Sequence, residues 1–254
     1  MSNGKKEFNY DAIADTYASK VDAAPYNALY ERPAMMAMLP DIDGARILDA
    51  GCGSGWYGEQ LLKRGAFVDG VDASASMVEF ARQRLLDSSE SAAERLTLQV
   101  ADLESGLPFE DGRFDGIVSP LVLHYLRDWR PALREMKRVL KPEGWLLFST
   151  HHPAADAALF STQNYAAVEH VVDHWDWVGT VEFYRRPLTE VVASVIESGF
   201  SLDQLVEPMP TEEFRDRDPE GYARLMNQPA FLVIRATPIR DDSTSDTNKT
   251  KSKD

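Results

Sequence analysis

The chain has a single cysteine, Cys52, among its 254 residues, so no disulfide can form within it. That fits a reducing compartment, where thiols stay free. It lacks any run approaching the ~18 apolar residues of a membrane-spanning helix. Its opening stretch, "MSNGKKEFNYDAIADTY", has two lysines but no apolar core, so no secretory signal is visible and a cytoplasmic protein is expected. Positive charge is scarce: 27 Lys and Arg stand against 41 Asp and Glu, a net charge of −14. The last stretch, "DDSTSDTNKTKSKD" (241–254), holds four Asp and three Lys and so accounts for only −1 of this. An acidic body argues against non-specific nucleic-acid binding, which depends on neutralising phosphates, and mildly favours a cationic ligand. Repeats are absent. The 241–254 stretch has no apolar residue to bury and reads as a disordered tail.

What is present is regular alternation. Seven segments read as strands: Arg46–Ala50, Ala66–Val71, Leu96–Ala101, Phe114–Ser119, Gly144–Thr150, Phe200–Val206 and Phe231–Ala236. Helical periodicity falls between most of them. It covers Tyr57–Arg64, closed by Gly65, and Ser76–Leu86, with Met77, Phe80, Ala81 and Leu85 on one face. It returns over Pro131–Leu140, ended by Lys141-Pro142, and Thr189–Ser198, stopped by Gly199. Strands alternating with helices predict an α/β fold: a Rossmann-like three-layer sandwich around a seven-stranded, mostly parallel sheet. The long connection "EPMPTEEFRDRDPEGYARLMNQP" allows the last strand to return antiparallel. One domain over 1–240 is expected, with two segments outside the rhythm. They are an N-terminal lid over 1–45, helical from Tyr10 to Leu39, and an insertion over 151–187 with a hairpin at Val178-Gly179. Both fall near the carboxyl ends of the strands, where open α/β sheets bind ligands.

The stretch "RILDAGCGSGWYGEQLL" (46–62) then sets the chemistry. Asp49 ends the strand, and glycines follow at 51, 53 and 55. A tight turn needs one glycine; three bring backbone against a ligand. Two ligands compete. Gly53-Ser54-Gly55-Trp56-Tyr57-Gly58 satisfies the dinucleotide pattern, with Asp72 spaced for a ribose, which would make the chain an NAD(P)-dependent oxidoreductase. Asp49, however, is poorly placed beside a pyrophosphate and suits a ligand with an ammonium group.

Four motifs in order, "ILDAGCGSG", "GVDAS", "VADLESGLPF" and "FDGIVSPLVLHYLRDW", resemble class I S-adenosylmethionine-dependent methyltransferases of the small-molecule kind called methyltransferase type 11. The resemblance spans Arg46 to Thr150 and extends weakly to "FNYDAIADTYA". It implies S-adenosyl-L-methionine as cofactor and a small-molecule acceptor with an O or N nucleophile. A protein that binds the cofactor without turnover is the alternative in another class. By this resemblance Gly51, Cys52, Gly53 and Gly55 pass close to the methionine half, with Asp49 favouring its cationic end. Asp72 accepts from the ribose hydroxyls, or else is the N-terminal acid of a helix, just before "ASASMVEF". Ala73 and Met77 touch the adenine face. Asp102 accepts from the adenine amino group with the Leu103 amide beside it, or else caps a turn. Ser119 closes the cofactor set at the fourth strand. In the aromatic N-terminal segment (Tyr10, Tyr17, Tyr26, Tyr30), Arg32 would hold the cofactor carboxylate and Tyr17 would cover the methionine side.

Methyl transfer needs alignment and exclusion of water more than catalytic groups. "SPLV" at 119–122 replaces the Asn/Asp-Pro-Pro-aromatic motif of amide- and exocyclic-amine-modifying relatives and argues against that chemistry. Cys52 lies inside the loop, which argues against a cysteine nucleophile. His124, His151 and His152 are the candidate bases, the last two before Pro153 and equally able to shape a loop. His170 and His174 share a face, but no compact His/Cys/acid spacing supports a metal. Trp175, Trp177, Phe183 and Tyr184 would wall an apolar substrate or pack the insertion onto the sheet.

Overall fold

The computed structural model describes residues 14–87, 92–160, 162–176 and 178–240. The 241–254 stretch, Tyr10 and Trp177 lie outside them, as does the side chain of Tyr17. The strands, in chain order, are β1 (Arg46–Ala50), β2 (Phe67–Asp72), β3 (Leu96–Val100), β4 (Phe114–Pro120), β5 (Leu140–His151), β6 (Glu169–Trp175), β7 (Gly179–Arg185), β8 (Phe200–Val206) and β9 (Phe231–Pro238). The helices are α1 (Ala14–Lys20), α2 (Arg32–Ala37), α3 (Trp56–Lys63), α4 (Ala75–Asp87), α5 (Ala92–Arg95), α6 (Arg130–Val139), α7 (Pro153–Leu159), α8 (Leu188–Glu197), α9 (Glu212–Arg217) and α10 (Pro219–Asn227). A π-helical turn over Asn27–Glu31 runs into α2.

Seven strands form one sheet in the order β3-β2-β1-β4-β5-β9-β8. Pairing from β3 across to β5 is parallel. Only β9 is reversed, antiparallel to both β5 and β8. The period of two along each central strand sends neighbours to opposite faces. Leu48, Ile117, Leu146 and Ile234 join α6 and α8 in one core. Ile47, Val118, Leu147 and Val233 join α2, α3 and α4 in the other. Strands buried on both sides cannot alternate polar and apolar, which is why they read as continuous aliphatic runs. The expected Rossmann-like sandwich with an antiparallel last strand is the observed one.

Three local readings change. The strand expected to begin at Gly144 begins at Leu140, so Lys141-Pro142 opens a strand as well as closing a helix. The Phe114↔Leu140 pair is separated from the main register by a bulge. The 207–229 connection contains α9 and α10, capped by Thr211 and Asp218, whose side chains accept from the amides of Phe214 and Gly221. Tyr26 and Tyr30 belong to an aromatic cluster with Phe214 and Phe231. The N-terminal segment therefore packs on α9 and α10.

β6 and β7 form a separate hairpin with Val171↔Phe183 and Asp173↔Val181 in register. Its inner face, Val171, Val181 and Phe183, is buried with Val178. Tyr184 lies on the other face, against His170.

Candidate active site at the strand ends

The loop from β1 to α3 is tied to β2. The amides of Gly51 and Cys52 both donate to the Val71 carbonyl, at 2.8 and 2.9 Å. Its glycines differ in what they face. A Cβ on Gly51 would stand 2.3 Å from Val122 Cγ2, and φ there is +81°. At Gly53, where φ is +50°, a Cβ would meet nothing within 4 Å. The loop is thus packed at its base and open at Gly53.

Acidic groups surround that opening. The Gly53 amide donates to Asp72 Oδ2 and the Ser74 amide to Asp72 Oδ1, each at 2.9 Å. A carboxylate has lone pairs beyond these two, so Asp72 keeps acceptor capacity. Asp49 is fully buried, and neither oxygen has a hydrogen-bond partner among the described residues. Burial, and after it the charge of Asp72, raise its carboxyl to about 7 against the opposing pull of the nearby Gly58 amide. An orphaned acid beside an open glycine suits a bound cation. Room at Gly53, negative charge at Asp49 and acceptor capacity at Asp72 fit an amino acid–nucleoside ligand with a positive centre.

The other sequence-derived residues fall into two groups. Leu103 and Met77 are buried, Ala73 is exposed, and Met77 donates its amide to Ser74 Oγ at 3.1 Å. Asp102 accepts from the Glu104 amide and the Ser105 hydroxyl at 2.9 and 3.2 Å, so the turn-capping role is real. Arg32 lies 4.2 Å over the Trp56 ring and pairs with Asp22 at 2.8 Å. Arg84 pairs with the same Asp22 and donates to the Ser54 carbonyl at 3.2 Å, which puts the group on the outer edge of the glycine loop. Two residues are turned away. The Cys52 side chain is buried in the α3–α4 core, where burial raises its thiol well above the usual range, so only its backbone faces the loop. Ser119 Oγ donates to the Ala50 carbonyl at 2.9 Å and locks β4 to β1.

The three histidines separate. His152 caps α7: its Nδ1 accepts from the Ala154 amide at 3.2 Å, and its Nε2 lies 2.9 Å from Glu207 Oε1. Both nitrogens are engaged in shaping the loop. His124 and His151 are stacked, centroids 4.0 Å apart and 19° between planes, with Phe183 edge-on to both. Neither ring nitrogen of His124 has a partner among the described residues. Burial, His151 and Arg186 hold its pKa well below the usual histidine value, so the ring is neutral.

Sequence reasoning missed Glu31, Tyr57, Ser149 and Arg186. Glu31 is buried and accepts from the Tyr57 hydroxyl at 2.8 Å. The signal was an acid four residues before the buried Met35, on one helical face. Arg186 follows a strand next to Arg185, and nothing in that pair marks it. Leu121, just past β4, has φ +54° and is the one non-glycine residue with positive φ among those described. A leucine held there costs about 1–3 kcal/mol, a strain that clusters at functional sites.

Comparison with known proteins agrees with this geometry. Residues 48–148 match the family described as a methyltransferase domain. The crystal structure of an S-adenosylmethionine dependent methyltransferase from Mesorhizobium loti is similar over 85% of this chain and 99% of its own, with a TM-score of 0.67 and 29% identity. Residues 48–148 thus match a methyltransferase domain, and the fold around them is shared with an S-adenosylmethionine dependent methyltransferase. A malonyl-[acyl-carrier protein] O-methyltransferase of Legionella pneumophila is 29% identical over 88% of this chain and 78% of its own length. An uncharacterized protein of Haemophilus influenzae is 26% identical over 94% and 99%. The nicotinamide reading of Gly53–Gly58 falls with these findings. Among the described residues no helix is long and apolar enough to cross a membrane, and no group of three His, Cys, Asp or Glu side chains is placed to hold a metal.

Proposed function

We propose that this chain transfers the methyl group of S-adenosylmethionine to an oxygen or nitrogen of a small-molecule acceptor. The observation that carries the reading is Asp49, a buried acid whose oxygens have no hydrogen-bond partner among the described residues, at the start of the loop with the open Gly53 and close enough to Asp72 to feel its charge. When bound, the cofactor supplies a methyl group already activated on a cationic sulfur.

The chain's own residues supply the rest. The backbone at Gly53 gives room for the methionine half. Asp49 stabilises positive charge, and Asp72 orients the ribose. Asp102 and Leu103 take the adenine edge. The hairpin face of Val181 and Phe183, with the N-terminal segment, excludes water from the strand ends. The lowered pKa of His124 makes it an orienting donor or acceptor and a poor base. His152 is engaged elsewhere. A base is needed only if the nucleophile arrives protonated, so an acceptor that is ionised or has a free lone pair suits this site.

Calorimetric titration with S-adenosylhomocysteine tests the cofactor half, with NAD as control. Asp72→Ala should weaken binding about 10- to 100-fold, the worth of one charged hydrogen bond. Unchanged affinity removes Asp72 from the site. Incubation with methyl-labelled cofactor and a cell extract tests the acceptor half. Label should appear in the low-mass fraction, and label confined to protein or RNA sinks the small-molecule reading.

A further inference from the structure

We propose that the acceptor carries a carboxylate, held by Arg186 together with His124 and His151. The inference rests on the methyltransferase reading and adds the substrate class to it.

Arg186 sits between β7 and α8 and is 3% exposed. Its guanidinium lies 4.2 Å over the Trp129 ring, and its Nη2 donates to the Leu126 carbonyl at 2.6 Å. Nε and Nη1 have no acceptor among the described residues. Nor does Arg186 form an ion pair there. Asp128 and Glu190 are near enough to favour its charge, but both are paired with Arg130, at 3.2 and 2.7 Å. Asp156 stands beside His151, at 3.6 Å from Nδ1. Burying a cation without a contacting counter-charge costs several kcal/mol. A ligand anion would recover that cost.

The histidines supply the second, independent observation. His124 is 2% exposed with neither nitrogen hydrogen-bonded among the described residues, and the Nδ1 of the stacked His151 makes no hydrogen bond there either, with Asp156 Oδ1 3.6 Å away. A neutral imidazole carries one N–H whichever tautomer it adopts. His124 follows β4 and His151 ends β5, and Arg186, which follows the separate hairpin strand β7, is tied to the same post-β4 segment by its bond to the Leu126 carbonyl. Arg186 Nε and Nη1 and the ring nitrogens of His124, all buried and without acceptors among the described residues, thus lie near one another, with half-buried His151 stacked on His124 and the fixed positive charge on Arg186. That matches a monoanion. A phosphate dianion would bring a second negative charge to the Arg186 guanidinium, which has no ion pair among the described residues, with Asp156 close by and Arg130 already paired with Asp128 and Glu190. The neighbouring rings of Phe183, Tyr125 and Phe231 suit an apolar or aromatic body behind the carboxylate.

The test is an NMR titration of histidine ring signals in the full chain. Benzoate is the probe, with benzamide, its neutral isostere, and inorganic phosphate as controls. S-adenosylhomocysteine is titrated separately by calorimetry in the same preparations. Benzoate should shift the His124 and His151 signals saturably and bind about tenfold more tightly than benzamide. Arg186→Met should abolish that preference and leave S-adenosylhomocysteine affinity within about twofold. Arg186→Lys should retain part of it. A buried charge replaced by an apolar side chain of similar size is often tolerated, so the methionine variant should fold. If it does not, the wild-type titration still decides. No saturable response to benzoate, equal affinity for benzamide, or a stronger response to phosphate overturns the assignment. S-adenosylhomocysteine binding without a benzoate response rejects this inference alone, and the converse rejects the cofactor assignment alone.

Discussion

Glu31 and Ser149, 118 positions apart in sequence, share a buried hydrogen bond of 2.5 Å. The Tyr57 hydroxyl donates to the other oxygen of the same carboxylate at 2.8 Å. One acid thereby joins the N-terminal segment, the last turn of β5 and the first turn of α3, just behind the glycine loop. Burial lifts its carboxyl from 4.5 to about 7, against the pull of the two hydroxyls and Arg32.

That shift has a pH consequence. The folded protein holds the Glu31 proton more tightly than the unfolded chain does. The stabilisation is complete below about pH 4.5, declines as pH rises, and is gone above about pH 7. It is worth about 3 kcal/mol at full extent. Glu31→Gln keeps an oxygen acceptor for one hydroxyl, presents an NH2 donor to the oxygen of the other, and loses the titration. Urea midpoints at pH near 5 and near 8 should fall further apart in the wild type than in the variant. Equal gaps in both proteins would show that Glu31 does not titrate in this window.

Asp49 predicts proton-linked binding. Its carboxyl, raised to about 7, is largely protonated in the free protein at pH 6. A cationic ligand favours the ionised form, so binding S-adenosylmethionine should release up to about one proton below pH 7 and little above pH 8. Affinity should rise with pH across that window. Calorimetry in two buffers of different ionisation enthalpy measures the release, and Asp49→Asn should abolish it. A release that survives in the asparagine variant assigns the proton elsewhere.

Gly51 and Gly53 predict opposite effects for the same substitution. Gly51→Ala adds a methyl 2.3 Å from Val122 and strains a left-handed residue, so it should cost about 2–4 kcal/mol of stability. Gly53→Ala meets no protein atom within 4 Å and should cost only the strain, about 1–2 kcal/mol. It should nonetheless weaken S-adenosylhomocysteine at least tenfold, by placing a methyl where the ligand approaches. Thermal melts and calorimetry on the two variants separate these outcomes. Full affinity in Gly53→Ala would mean that the ligand does not approach this residue.

Much of the fold is legible in the sequence because its signals are local. Arg46–Ala50 and Phe200–Val206 are strands over the very residues that their composition marks. Asp49, Gly51, Gly53 and Asp72 are adjacent to strand ends, so their grouping follows from the chain's order. α9 and α10 were not legible, since their buried anchors Phe214 and Leu225 pack against Tyr26 and Tyr30, which are remote in sequence. The histidines divide for the same kind of reason. His151 and His152 are neighbours, yet one faces His124 while the other caps α7.

By itself, then, the sequence determined the alternating sheet, its reversed last strand and the acidic glycine loop, because these depend on periods of two and 3.6, on turn chemistry and on residues a few positions apart. Only the tertiary structure decided that Glu31 lies under Ser149, that the Ser119 and Cys52 side chains are taken up by β1 and the core, and that Arg186 is buried near His124 with no ion pair among the described residues. Those are contacts between segments tens of residues apart. They are set by how helices and hairpin pack on the sheet, and no local pattern encodes them.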